Sequence, residues 1–140
     1  MKKVKKQIIK SIDKATSSEK LGSVFFGVGL LIAFIMAIVV AVSNVSSTAT
    51  QIVTVTLVIL GLIIGFLNIT NQEAVAFLIS TVVLVLLTGP FLGNIVQTFA
   101  LGSNGVQFLG ELFKNIIGLV VPAAILVSLR TLFNVAKDEN

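Results

Sequence analysis

The sequence predicts an all-α, polytopic membrane protein with four transmembrane helices and a basic amphipathic N-terminal helix. Three observations lead to this class. Of 140 residues 56% are hydrophobic and 11% charged, with a mean hydropathy of +1.08, too little polar surface to cover a water-soluble globule of this size. The apolar residues gather in four blocks long enough to cross about 30 Å of hydrocarbon as helices. One crossing per block also places nine of the ten basic residues on one side of the membrane, the asymmetry expected of cytoplasmic ends. The Val- and Ile-rich blocks lack the period-two alternation of a membrane barrel.

The chain divides into residues 1–20, a basic interfacial helix, and 21–140, the four-span domain. In "MKKVKKQIIKSIDKATSSEK" the apolar residues Val4, Ile8, Ile9, Ile12 and Ala15 recur at helical spacing. Lys2, Lys3, Lys5, Lys6, Lys10 and Lys14 occupy the other faces and are the expected contacts to anionic inner-leaflet lipid, worth about 1 kcal/mol each near the surface. The alternative is a plain positive-inside flank. Nucleic acid is not an expected partner, because no aromatic residue is interleaved for base stacking. The apolar run that follows is too long for a signal peptide, and three more spans come after it.

The first span, about 21–43, carries no charge. Gly29, Ala33, Ala37 and Ala41 repeat every fourth position and form a smooth ridge for helix packing. The second, about 51–68, contains a G-x-x-x-G patch at Gly61 and Gly65. An antiparallel pair joined by a short loop would set that patch at the depth of Gly29 and Ala33, so the two ridges are expected to meet. At the corner 68–73, Thr70 and Glu73 have the spacing of a reciprocal capping box for the next helix. Asn68 and Asn44 each begin an N-x-S/T triplet. The first is expected on the cytoplasmic side and reads as an accidental match, while the second lies on the outer side tight against the first helix, which disfavours modification and leaves it open.

The third span, about 74–93, is expected to end at Gly89-Pro90, where proline removes a backbone donor. Residues 94–115 follow as the sizeable outer segment, with Gln97, Gln107, Glu111 and Lys114 spaced along one face. It is read as two short pieces flat on the outer interface, with a re-entrant hairpin as the alternative. Glu111 and Lys114 can pair at i,i+3. The fourth span, about 115–133, holds Pro122, which frees the carbonyl of Gly118 and predicts a kink. Arg130 near its end can snorkel to the headgroups. The hydroxyls of Thr54, Thr56, Ser80, Thr81, Thr88 and Ser128 can bond back to their own helices.

With neither Cys nor His in the chain, most metal, haem and triad chemistry lacks its usual ligand or base. No ionisable residue falls in mid-span on these boundaries. The expectation is a non-enzyme with no catalytic, cofactor or metal residues. A structural or assembly role through helix packing, with homo-oligomerisation, comes first, and a small oligomeric pore or holin-like permeability factor second.

"GFLNITNQEAVAFLI" (65–79) and "VVPAAILVSLRTLF" (120–133) resemble the corner and last span of a family of small four-span membrane proteins, found mainly in archaea. The resemblance implies a four-helix membrane fold in a prokaryotic cell membrane. It supplies no activity and no site residues, and does not include the lysine-rich start.

Overall fold

The computed structural model describes the backbone of residues 2–43, 45–67, 69, 73–98 and 102–138, and their side chains apart from 2, 12–21, 96, 97 and 138. Four helices account for nearly all of it: α1 (Lys2–Val42), α2 (Ser47–Leu67), α3 (Ala74–Thr98) and α4 (Ser103–Asp138). No strand occurs among the described residues. Each helix contains a stretch long and apolar enough to cross a membrane: Gly22–Val42, Ser47–Leu67, Ala74–Ile95 and, within α4, Ser103–Lys137. The chain is all-α and multi-pass, as its composition requires.

The bundle is organised around α4. It packs against all three other helices, α1 also touches α2, and among the described residues α3 touches only α4. Contacts at named residues fix the directions. Gly29 lies against Leu119 and Phe34 meets Phe108 edge-to-face at 5.8 Å, so α1 and α4 are antiparallel. Ala74 clusters with Val127, and Phe91 meets Phe113 at 5.8 Å, so α3 is antiparallel to α4 as well. Gly61 opposes Leu119 and Gly65 opposes Ala123, which makes α2 parallel to α4. Both termini and the 68–73 corner therefore share one end, the termini end. The two remaining connections share the other, the loop end.

Local chemistry sets the helix starts. The Ala49 N–H donates to the Ser46 hydroxyl at 3.3 Å and the Thr50 N–H to the Ser46 carbonyl at 3.2 Å, so Ser46 caps α2. The Val106 N–H reaches the Gly102 carbonyl at 3.1 Å, opening α4. At α3 the Glu73 carbonyl accepts from the Phe77 N–H at 2.9 Å. That places Glu73 at the mouth of the helix, while Thr70, its expected partner in the capping box, lies outside the described residues.

Leu57, Ile64 and Leu119 form the central core, flanked by Phe25, Phe26, Leu30, Ile32, Val53 and Leu60. Gly29, Ala33, Ala37 and Ala41 are all buried, so the first ridge faces its own chain. Its partner differs from the expectation that the two small-residue ridges would meet. The nearest atoms to Gly29, Gly61 and Gly65 all belong to α4. A β-carbon at Gly61 would collide with the Leu119 carbonyl oxygen, and one at Gly65 would stand 2.6 Å from that of Ala123. The Leu119 side chain covers Gly29 while its backbone lies on Gly61. With no hydrophobic drive between helices in lipid, close fit supplies the attraction, and α4 gains most by seating between two smooth surfaces.

Three boundaries differ from those the sequence suggests. The basic segment and the first span form one continuous helix, since no proline or glycine pair interrupts 12–21. α3 passes through Pro90 to Thr98, and α4, with Pro122 inside it as expected, starts at Ser103 rather than near 115. In lipid an ended helix exposes several unpaired backbone groups, a greater cost than the one bond proline removes. Residues 94–115 are neither flat on the interface nor re-entrant: where described, they extend α3 upward and begin α4 at Ser103. The two Phe–Phe contacts, Phe34–Phe108 and Phe91–Phe113, anchor this upper part of α4 to its neighbours.

Candidate functional site

α2 serves as a ruler for depth. Its 21 residues rise roughly 31 Å at 1.5 Å each, close to the thickness of the hydrocarbon core. Gly61 opposes Leu119 and Gly65 opposes Ala123, the same offset of 58 residues. Carried along the helix, that offset sets Ser47 level with residue 105 and Leu67 level with 125. Lys114 then lies nine residues in from the loop end of α2, roughly 13 Å down, and Glu111 roughly 9 Å down. Both fall within the apolar stretch Ser103–Lys137 of α4, whereas the sequence bounds place them ahead of the fourth span.

The two side chains pair. Lys114 Nζ donates to Glu111 Oε1 at 3.1 Å and Oε2 at 3.2 Å. Helical side chains tilt toward their own N-terminus, which for α4 is the loop end, so the lysine reaches up to the glutamate one turn above. The lysine side chain remains 51% exposed within one copy of the chain, the glutamate 20%. Beside them α2 presents Ser47, Thr50, Gln51 and Thr54, which with Val55 and Lys114 line a groove of about 500 Å³. The polar residues of α2 recur at three- and four-residue intervals, as do Asn104, Gln107, Glu111 and Lys114 on α4. Two polar stripes thus descend from the loop end to mid-depth.

The groove closes below. At that level Leu57 and Leu119 are fully buried, and the Gly61 and Gly65 contacts bring the α2 and α4 backbones together. On another face of α4, next to the lysine in sequence, Asn115 is 3% exposed and its Nδ2 donates to the Ala33 carbonyl at 3.4 Å. This bond crosses between helices at the smooth ridge of α1. Asn115→Ala should cost about 1 kcal/mol in micelle unfolding, the usual scale for interhelical polar contacts. A change in midpoint no larger than that of an exposed α3 substitution would show that the bond does no such work.

Thr54, Thr56, Thr81 and Thr88 donate to carbonyls four residues back, at 3.0, 2.8, 2.9 and 2.6 Å. Those hydroxyls are satisfied locally, and Thr54 still lines the groove. Lys3, Lys5, Lys6 and Lys10 are exposed, as are Val4, Ile8 and Ile9. The side chains of Lys2 and Lys14, and the triplet residues Asn44 and Asn68, lie outside the described set. Pro122 lies inside α4, within the expected fourth span, and packs over Gly61. Among the described residues no three carboxylates come together.

Sequence reasoning missed the depth of Glu111, Lys114 and Asn115. Their spacing was visible, and taking the polar stripe as flat hid its meaning. The chain matches no family model, no curated protein and no solved structure. The geometry of the polar groove therefore carries the functional reading.

Proposed function

We propose that this chain is a non-enzymatic membrane protein with a structural or assembly role, and that it associates with copies of itself through the polar groove between α2 and α4. The observation that carries this reading is the Lys114–Glu111 pair, held inside the span with its lysine half exposed. A charge at that depth faces a bundle interior, water or a partner, because bare hydrocarbon solvates it poorly. A second copy supplies such surroundings with its own Thr50, Gln51 and Lys114–Glu111 pair. The proposed setting is a prokaryotic cell membrane, as the family resemblance implies, with both termini cytoplasmic, an orientation supported by the nine-to-one distribution of basic residues. The α1 lysines then meet anionic lipid on that side.

Energy transfer between labelled copies in liposomes tests the association. Dilution with excess lipid should leave transfer in the native chain largely intact, and Lys114→Met combined with Glu111→Leu should lower it at least about fivefold, one interfacial contact's worth. Native transfer that vanishes on modest dilution would refute self-association.

A second reading is an oligomeric permeability pathway, favoured by the two polar stripes reaching mid-membrane. Ion flux through reconstituted liposomes separates the two. Reproducible flux abolished by the double substitution would select the pathway, and tight vesicles holding stable oligomers would select the structural role.

A further inference from the structure

A second charged position lies at the opposite end of the same helix pair. Between α2 and α4 a cleft of about 590 Å³ is lined by Gly65, Phe66, Leu126, Leu129, Arg130 and Phe133. Gly65 lets the α2 backbone press onto Ala123, which leaves the trough open where a side chain would fill it. Phe66 and Phe133, 73% and 72% exposed, rise on either side. Arg130 is also exposed, and among the described residues no carboxylate lies within ion-pairing distance of it. By register with α2, Arg130 sits five residues beyond the level of Leu67, roughly 7 Å past the end of the hydrocarbon span and at headgroup height.

We propose that this cleft binds an anionic phospholipid, its phosphate on the Arg130 guanidinium beside the Phe133 ring and one acyl chain running inward past Leu126 and Phe66 toward Gly65. The planar fork of an arginine grips two phosphate oxygens at once. A basic group over an apolar cleft between spanning helices is the arrangement that retains acidic lipid headgroups. The lysines of α1 differ in kind. Lys3, Lys5, Lys6 and Lys10 stand exposed in succession along one helix, so they attract a charged leaflet diffusely. The Arg130 cleft offers one place per chain and is saturable.

Photo-crosslinking tests this on the full chain in phosphatidylcholine nanodiscs containing a small fraction of photoactivatable phosphatidylglycerol. Label should map to residues 126–133, and unlabelled phosphatidylglycerol should compete at least about tenfold better than phosphatidylcholine, the value of one charge-assisted contact. Arg130→Gln should remove that preference, Arg130→Lys should keep part of it, and glutamine at Lys3, Lys5, Lys6 and Lys10 together should leave it intact. Phe133→Ala, at the rim, provides a second variant should Arg130→Gln not fold, and should weaken labelling severalfold. Equal competition by the two lipids, undiminished labelling in both site variants, or label confined to residues 2–20 would overturn the proposal. Displacement by millimolar inorganic phosphate as effective as that by lipid would also overturn it, revealing an anion site with no acyl component.

Discussion

Gly61→Leu should be the most damaging single substitution in the chain, costing about 3 kcal/mol or more in equilibrium unfolding from mixed micelles. The new side chain has no free volume to enter, since a β-carbon alone would collide with the Leu119 carbonyl, with Pro122 Cβ 3.4 Å away. Backbone cannot swing aside as a rotamer does, so α2 and α4 must separate and the fit around Leu57, Ile64 and Leu119 goes with them. Gly65→Leu should behave alike, because Ala123 Cα and its carbonyl oxygen would be 2.8 and 2.6 Å from the new β-carbon. Gly29→Ala should be milder, the obstacle there being the end of the Leu119 side chain. Gly27→Leu is the control: nothing lies within 4 Å of it, and its effect should stay within about 0.5 kcal/mol. Equal unfolding midpoints for Gly27→Leu and Gly61→Leu would show that α2 and α4 do not meet as described.

The second large effect concerns the Lys114–Glu111 ion pair, whose lysine is half exposed. Lys114→Met strands Glu111 within the span, and stability should fall by about 3 kcal/mol. Glu111→Leu should do comparable harm by stranding the lysine, reduced to the extent that a long stem can lift its ammonium toward the loop end. Joining the two substitutions should restore most of the loss, because two apolar side chains suit hydrocarbon better than one unmatched charge. A double-mutant cycle in the same micelles reads this coupling directly. Additive losses would mean that the two groups are solvated separately. The recovered double variant is also the one expected to lose self-association, which separates the pair's contribution to folding from its contribution to contact between copies.

Much of the fold was legible because lipid leaves few options. Any apolar run of about 20 residues must become a helix there, so the number of spans followed from block length, and the small residues at 29, 33, 37, 41, 61 and 65 announced packing surfaces. What those surfaces touch was not legible. Glycine spacing says that a backbone will approach, but not whose, and α4 carries no four-residue repeat of small residues like that of α1 to advertise it as the common partner. Helix ends misled for a related reason. Pro90 and the polar residues near 107–114 carry stop signals calibrated for water, and inside a bilayer the demand to pair backbone groups overrides them. The candidate site was hidden by the same error. Once α4 is known to start at Ser103, the spacing of Gln107, Glu111 and Lys114 describes a descending track instead of a floating one.

Among the described residues the third helix is tied to the rest of the molecule along a single seam, and most of its large side chains look outward. It contributes little to cohesion, yet the chain cannot dispense with it. For Gly61 and Gly65 to find Leu119 and Ala123, the second and fourth helices must travel the same way, and a polypeptide leaving the bilayer on one side must be carried back before it can repeat the journey. α3 is that return stroke: its worth lies in parity, and a version lacking it would thread α4 upside down, with Arg130 delivered to the wrong leaflet.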